Sequence, residues 1–459
     1  MYFRYLGEGL RRICNIVRWA IDLLSRGYHP AKSHYGRSVG KRKKTNTNTV
    51  SGLLGSWMGG WISLGVSPLR TIGIMVVVFI AAQPMAWSAT YYVRADGTAA
   101  DTSSATSCSS PQTSMNLQMP RYIWESFAPG DRIVLCNEGG VFRGELQVFS
   151  NGSAASPITY DGRGSAVISA SDLVHGWALV GGSLYVASLS IQPQQVFVDG
   201  NFGDRKPSLG EVTSNLDWYW EANQLYLYSS TGDPDIAFDN PGVEAGSRSL
   251  CSILKGDHVV ITGITARHSN RNGFSGWNPG SNVTIRNCLA EWNWYKGIAM
   301  EGDDSLYENT VIEDNVTRFN GIGGIGLSGP GKNSIIRRNK CLSNGKYQSA
   351  EYVYDGMQQW TFGIKLFENE TNFQEGNEIY ENVVYDNGRG HPEDKQGRGT
   401  GIWIDTVPGK PTNPIVIRHN LIYSNKGNGI FIEISSNTAV FGNLLHNNAT
   451  NERGRGGAT

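Results

Sequence analysis

The sequence lacks a net charge and any cysteine pattern typical of a zinc site. Its 40 Lys and Arg residues balance 40 Asp and Glu residues, so no overall charge attracts the chain to nucleic acid or to a lipid surface. None of its 6 cysteines occurs in a Cys-x-x-Cys or Cys/His spacing, which argues against the common zinc sites. We therefore expect no nucleic-acid partner and no metal-ligand cluster.

The sequence also lacks an apolar run long enough to span a bilayer. The longest run near the N-terminus, residues 72–82, instead fits the core of a secretory signal, with Ala86 and Ser88 before a cleavage site. The basic run 41–44 fits the charged region of such a signal, and a nuclear signal is its alternative interpretation. We expect a basic N-terminal extension at 1–70 and a signal peptide or signal anchor at 71–88. This predicts a secreted, periplasmic or cell-envelope protein that touches a membrane only through this segment, if it is uncleaved.

Export would leave five cysteines and would permit a disulfide bond. Cys108 and Cys136 are the pair that we expect, because both lie near the start of the exported region. The odd number predicts at least one free thiol.

The sequence does contain an internal repeat that runs to Asn448. Each copy has an apolar residue, an Asn three positions later, a second Asn five positions after that, and then a Gly-Ile pair. Cys288 takes the place of the first Asn in an early copy. Repeats of this length indicate stacked units that bury their apolar faces against one another. The first asparagines of the frame are Asn315, Asn339, Asn382, Asn420 and Asn443.

Apolar residues alternate with a period of two after each glycine of the frame, which indicates strands and not helices. A leucine-rich repeat would need a leucine-dominated frame, and this frame is built from Asn, Gly and Ile. The sequence therefore predicts an all-β chain of short strands wound into a parallel solenoid. The alternating pairs are Ile298/Met300, Ile325/Leu327, Ile364/Leu366, Ile402/Ile404 and Ile430/Ile432.

The asparagines explain how such a coil could turn. Asn tolerates the left-handed conformation and bonds nearby backbone, so we expect the first asparagines to form the bends and to stack in one line. With these features the chain resembles the secreted right-handed parallel β-helix proteins of the pectate-lyase-like superfamily, which carry asparagine ladders at their bends. The opening residues 91–97 are similar to the first strand of such proteins, and residues 402–406 partly resemble a pectate lyase signature without its histidine.

The resemblance implies three parts after the signal segment. Residues 89–172 would form the first coils and a cap, with a short helix near residues 117–127. Residues 173–249, which break the repeat and are rich in aromatics, predict a small antiparallel β insert. Residues 250–459 would hold the parallel β-helix repeats.

The candidate site lies where two repeats are longer than their neighbours, at residues 345–361 and 388–400. Insertions at one corner of adjacent coils build a wall on one face of a solenoid. The residues that face outward after each Gly-Ile pair would line a groove beside this wall. We expect catalysis from Lys365, Asp405, Glu433 and Glu301, and substrate binding from Trp403, Tyr352, Tyr354, Trp360, His391 and Arg398.

Two reactions fit these residues. Asp405 and Glu433 occupy equivalent sites on adjacent coils, a spacing that suits a retaining glycosidase pair. Lys365 beside Asp405 equally suits a lyase, in which a base removes the proton next to a uronate carboxylate. We expect a monomeric enzyme that cleaves an acidic or substituted polysaccharide without a required cofactor. Calcium could bind the acidic turn 301–304. The alternative is a non-catalytic β-helix that acts as an adhesin or a glycan-binding scaffold.

Overall fold

Short strands wind into successive coils in the computed structural model, which describes residues 88–95, 108, 127–302, 305–346, 361–368, 373–388 and 399–449. The coils build three parallel columns of strands, called here sheets 1, 2 and 3 in the order in which the chain enters them. Equivalent residues of successive coils are paired, as in the series Ile285, Ile312 and Ile336 of sheet 1. The predicted all-β parallel β-helix is confirmed.

The strands have the following bounds. Two of them, Ile158–Ser169 and Val259–Arg267, run from sheet 1 into sheet 2. Sheet 1 also contains Thr90–Arg94, Arg132–Cys136, Val283–Arg286, Val311–Glu313, Ile335–Arg337, Glu378–Tyr380, Ile415–Arg418 and Thr438–Phe441. Sheet 2 also contains Phe142–Arg143, Leu289–Glu291, Val316–Arg318, Lys340–Leu342, Val383–Tyr385, Leu421–Tyr423 and Leu444–His446. Sheet 3 contains Leu146–Val148, Leu250–Leu254, Asn272–Trp277, Lys296–Glu301, Gly323–Ser328, Phe362–Phe367, Thr400–Asp405 and Ile430–Glu433.

Apolar side chains that point into the coils form one continuous core along the solenoid. The first apolar residue after each glycine of the frame is fully buried in four successive coils, at Ile298, Ile325, Ile364 and Ile402. Each such side chain contributes about 1.5–3 kcal/mol by leaving water. The alternation therefore fixes which face of sheet 3 points into the core and which face points outward.

The repeated asparagines stack in two buried rows, and the predicted first row is confirmed. In ladder 1, between sheets 1 and 2, the Nδ2 group of Asn315 donates to Oδ1 of Asn339 at 3.0 Å. The same bond continues through Asn382, Asn420 and Asn443. Ladder 2 lies between sheets 2 and 3 and consists of Asn293, Asn320, Asn344, Asn387, Asn425 and Asn448.

The prediction that these asparagines adopt the left-handed conformation is wrong. The residue before each of them does so, as Asp314 and Arg338 show in ladder 1 with φ values of 57° and 54°. The backbone N–H of Asn315 donates to Oδ1 of Asn339 at 3.0 Å, which points the asparagine itself toward the next coil. The bend therefore falls one residue earlier, and the asparagine serves to join coils.

The antiparallel insert is confirmed and lies between sheets 2 and 3 along the chain. It has its own small core, which includes the buried side chains of Trp177 and Trp218. One of its sheets contains Ser171–Leu173, Val196–Val198, Asn201–Phe202 and Val243–Gly246. The other contains Ala178–Gly181, Leu184–Ser188, Asp204–Arg205, Asp217–Glu221 and Gln224–Tyr228. Its helices are the 3₁₀ turn Leu209–Glu211 and the α-helical turn Pro234–Ala237; a further 3₁₀ turn, Asn137–Gly139, lies in the first coils.

A buried charged cluster joins the insert to the coils. The Glu244 carboxylate of the insert lies 2.7 Å from Nη1 of Arg143 and 3.7 Å from Nδ1 of His268. Ser171 donates to the same carboxylate oxygen at 3.1 Å. Burial alone would raise the pKa of Glu244, but His268 and Arg143 outweigh it and lower that pKa to about 2. The cluster therefore holds a carboxylate in its charged form inside the protein.

The expected disulfide between Cys108 and Cys136 is confirmed, with a Cα–Cα distance of 5.5 Å. Cys251, Cys288 and Cys341 are free and buried, which agrees with the expectation of at least one free thiol. Within the described ranges no helix is long and apolar enough to cross a membrane. The predicted basic extension, nearly all of the signal segment, and the capping helix up to residue 126 lie outside these ranges.

Candidate active site

The outward face of sheet 3 presents two columns of side chains that run along the solenoid. The strand pairing places their members in register from coil to coil, as the spacing after each glycine predicted. The inner column reads Ser275, Ala299, Gly326, Lys365, Trp403 and Phe431. The outer column reads Trp277, Glu301, Ser328, Phe367, Asp405 and Glu433.

Lys365 is enclosed by aromatic rings at the centre of this face. Its Nζ atom lies 3.5 Å from the ring centroid of Trp403, 5.1 Å from that of Phe367 and 5.9 Å from that of Phe362. It also forms an ion pair with Oδ2 of Asp405 at 2.7 Å. Ring faces attract a cation, and the carboxylate neutralises it, so the ammonium is held in one place with little water around it.

The surroundings of Lys365 lower its pKa. Burial is the largest cause, and the nearby Lys296 acts in the same direction. Asp405 and Glu433 raise the pKa of this amine but do not outweigh the burial. An amine with a lowered pKa gives up its proton more easily than an ordinary lysine and can serve as a base closer to neutral pH.

Asp405 and Glu433 are neighbours in the outer column. They pair directly between the strands Thr400–Asp405 and Ile430–Glu433, so their Cα atoms lie about one strand spacing, 4.8 Å, apart. Asp405 accepts a hydrogen bond from Oγ1 of Thr406 at 2.7 Å in addition to its bond with Lys365. Glu433 forms no ion pair with any described residue.

Glu301 belongs to the same column but not to the same cluster. Ser328 and Phe367 stand between it and Asp405, which puts the two carboxylates about 14 Å apart along three strand spacings. Glu301 pairs with Lys296 at 2.7 Å. Burial raises its pKa, but that lysine and Arg271 outweigh burial and lower it. Glu301 therefore forms a second charged cluster at the N-terminal end of the groove.

Trp403 is only 2% exposed, although its position in the column points it outward. It packs with Ile322, Phe362 and Phe431 in an apolar cluster separate from the main core. One face of its ring is covered by the Lys365 ammonium. The ring supports Lys365 in this structure, and its predicted role in substrate binding stays a prediction.

The other predicted substrate-binding residues lie outside the described ranges. These are Tyr352, Tyr354, Trp360, His391 and Arg398, together with most of both inserted loops. Asp303 and Asp304 of the acidic turn also lie outside, so the calcium prediction stays untested.

Two residues of the groove, Lys296 and Phe362, were missed from the sequence because they precede the Gly-Ile pair. Phe362 lies beside Lys365, and Lys296 pairs with Glu301 while its side chain occupies the space over Gly326. The signal that could have found Lys296 and Phe362 is the strand register, which continues to the residue before each frame glycine.

Comparison with known proteins identifies the fold. Residues 272–457 match the family described as the right handed beta helix region. The solved complex of XylC with xylose is similar with a TM-score of 0.55 and 15% identity, over 78% of this chain and 69% of that one. The pectate lyase Pel9A is similar with a TM-score of 0.41 and 13% identity, over 78% and 80% of the two chains. A glycoside hydrolase is similar with a TM-score of 0.44 and 10% identity, over 80% and 97%. No curated protein matches the chain. The family match and the likeness to the XylC structure show a right-handed parallel β-helix fold and no particular activity.

Proposed function

We propose that this right-handed parallel β-helix protein is an exported enzyme that cleaves an acidic polysaccharide by β-elimination on the outward face of sheet 3. The observation that carries the proposal is the Lys365 amine, which is buried among three aromatic rings and paired with Asp405. An amine in this setting is suited to remove a proton from carbon.

The reaction would proceed with Lys365 as the base. In its neutral form Lys365 takes the proton from the ring carbon next to a uronate carboxylate. The electron pair of that C–H bond forms a C=C bond, and the glycosidic C–O bond breaks toward the departing sugar, which takes up a proton. Asp405 is 2.7 Å from Nζ of Lys365, so it orients the amine and stabilises the ammonium that forms.

Hydrolysis is the second candidate reaction, and the register of Asp405 with Glu433 favours it. Carboxyl groups about 5–5.5 Å apart are typical of retaining glycosidases, and one strand spacing is close to that value. In this reaction one group attacks the sugar as a carboxylate, while the other, as a protonated carboxylic acid, gives its proton to the leaving oxygen. Lys365 would then serve only to hold Asp405.

A panel of acidic and neutral polysaccharides tests the proposal, with the Lys365→Met variant and a Lys340→Met control. Lys340 is exposed on sheet 2, so its replacement controls for the loss of one positive charge. A lyase releases products with the ultraviolet absorbance of an unsaturated uronate, and Lys365→Met should abolish it. Reducing ends without that absorbance would support hydrolysis. Binding without either product would support the non-catalytic scaffold.

Export is the second part of the proposal. It is supported by the Cys108–Cys136 disulfide, since such bonds persist in oxidising compartments, and by the signal-like residues 71–88. N-terminal sequencing of the protein from its native compartment checks it. A mature chain that starts near residue 89 fits a cleaved signal, whereas a membrane-bound product that keeps residues 1–70 fits a signal anchor. A soluble, uncleaved chain retained inside the cell would contradict export.

A further inference from the structure

Lys296 reaches along the groove toward Lys365. It begins the strand Lys296–Glu301, yet its side chain crosses to the next coil and lies over Gly326. A Cβ atom built on Gly326 would be 3.1 Å from Cδ and 3.5 Å from Nζ of Lys296. Gly326 pairs with Lys365 of the following coil. The Lys296 ammonium therefore lies over the inner column one coil before Lys365, whose own ammonium points on to Trp403 and Asp405 of the following coil.

The negative charges of the groove lie at its two ends and not between the lysines. Lys296 pairs with Glu301, and Lys365 pairs with Asp405, each at 2.7 Å. On the two coils between these carboxylates the outer column holds Ser328 and Phe367, which carry no charge. The centre of the groove thus has two cations on adjacent coils and no anion in either column.

The two lysine cations repel each other in the empty site. Their interaction is one reason that the pKa of Lys365 is lowered, after the larger effect of burial. The repulsion would be relieved by an anion bound between the two ammonium groups. A hydroxyl at Ser328, in register with Glu301, adds a neutral donor on the same coil.

We propose that Lys296 is a substrate-binding residue whose ammonium, above Gly326, binds the carboxylate of an acidic sugar unit next to the unit held at Lys365. This inference rests on the proposed function, since it assigns the neighbouring subsite of the same groove. It makes Lys296 a determinant of specificity for a charged over an uncharged polymer, while Lys365 supplies the base.

The test compares a soluble polyuronate with its methyl-esterified form, which has the same backbone without the charge. Lys296→Met should lower kcat/KM for the polyuronate by about 10- to 100-fold, mainly through KM, because a charged hydrogen bond is lost. Activity on the esterified form should change by less than about threefold. Lys296→Arg should retain most of the discrimination, and Lys340→Met should leave both substrates unaffected.

Two further measurements separate binding from a merely structural role. In Lys296→Met the Glu301 carboxylate keeps Arg271 as a partner at 3.6 Å. The double variant Lys296→Met/Glu301→Gln also removes the charge of that carboxylate. Both variants should unfold at the same urea concentration as wild type within error. The kcat/KM of a lyase with Lys365 as base rises with pH as this amine loses its proton. The pKa of that rising limb should move upward in Lys296→Met, because a neighbour that lowers the pKa of Lys365 is gone.

The outcomes distinguish this inference from the function on which it rests. Equal losses on the charged and esterified polymers would overturn the subsite. Calorimetry with a short oligouronate measures binding without turnover, so wild-type protein that binds it but never cleaves it would contradict only the proposed reaction. Wild-type protein that binds no anionic oligosaccharide would overturn the subsite itself.

Discussion

The asparagine ladders and the outward face of sheet 3 both consist of side chains stacked from coil to coil, but they differ in how much the residue type varies. At the corners the side chain is the same in coil after coil, and each amide bonds to the equivalent amide of the next coil. On the outward face the side chain changes at almost every coil, from Gly326 to Lys365 to Trp403. Uniform positions hold the coils together, and variable positions at a fixed backbone spacing build the site.

The hydrogen bonds of ladder 1 explain why asparagine recurs at its bend in every coil from Asn315 to Asn443. Oδ1 of Asn315 accepts from the backbone N–H of Cys288, and its Nδ2 group donates to Ile285 O and to Asn339 Oδ1. The buried amide therefore uses both its donor and its acceptor capacity. An aspartate would lack the donors, and a leucine would lack the acceptor as well.

Asp405→Asn should produce the largest effect, and it acts on activity alone. The amide keeps the size of the side chain but removes the charge that stabilises Lys365 in the transition state, so we expect turnover to fall about 100- to 10,000-fold. The free energy of unfolding should change by less than about 1 kcal/mol, because the residue lies outside the core. Steady-state kinetics and urea unfolding measure the two quantities.

The matched control is Glu378→Gln, which removes an equivalent ion pair with Arg418 on sheet 1. It should leave kcat unchanged. Full activity in Asp405→Asn would show that the variable face is not the site.

Asn339→Ala should have the next largest effect, and it acts on stability. It leaves the buried N–H groups of Asn315, from both backbone and side chain, without their acceptor. We expect a loss of about 4 kcal/mol in the free energy of unfolding, from the two unpaired donors and the space left behind. Urea unfolding followed by circular dichroism measures it.

Asn428→Ala serves as the control for the ladder, since the Asn428 side chain makes no hydrogen bond to the part of the chain that the structure describes. It should change the free energy of unfolding by less than about 0.5 kcal/mol. Similar losses in the two variants would contradict a special role for the ladder.

The sequence predicted the fold and the columns well because both follow from periodicity. Period-two alternation placed Ile364 inside and Lys365 outside, and the repeat frame placed Asp405 beside Glu433. It did not predict that Lys296 would cross to the next coil, because that path depends on the missing side chain of Gly326. Nor did it predict the burial of Trp403, which depends on how Phe362 and Ile322 pack around it.

The cluster around Glu244 is as buried as the ladders but carries charge. Its contribution to the free energy of unfolding should therefore depend on pH, whereas that of the ladders should not. The folded pKa of Glu244, about 2, lies below its unfolded value of about 4.3. Its stabilisation is therefore complete above the unfolded pKa, and about 3 kcal/mol is lost as pH falls toward 2. His268, whose pKa is lowered by burial, adds to the loss below about pH 6.5.

Urea unfolding at a series of pH values measures this dependence in wild type and in Glu244→Gln. The variant should start less stable near neutral pH and lose less between pH 4.5 and 2. Parallel curves for the two proteins would contradict the assignment. The neutral amides of the ladders make no contribution to either slope.

Ser424→Gly should have the smallest effect. It tests the left-handed residue of a bend apart from the asparagine that follows it. Ser424 has a φ of 54° and precedes Asn425 of ladder 2. Glycine relieves the left-handed strain but adds entropy to the unfolded chain, so the free energy of unfolding should change by less than about 0.5 kcal/mol. Ser424→Val should cost about 1–2 kcal/mol. A large loss for glycine would mean that the serine side chain, and not its backbone, supports the bend.

The ladders also give the solenoid a polarity. In the rungs before the last of each row, the Oδ1 atom points toward the preceding coil and one Nδ2 hydrogen points toward the following coil, as at Asn315 and Asn387. The hydrogen bonds of both rows therefore run in the same direction along the solenoid. At the start of ladder 2, the hydroxyl and the backbone N–H of Ser269 donate to Oδ1 of Asn293. A second β-helix that continued both rows would have to present acceptors to the Nδ2 groups at one end of the rows, or donors to the Oδ1 atoms at the other end. A head-to-tail arrangement of two such coils satisfies this requirement, and an inverted arrangement does not.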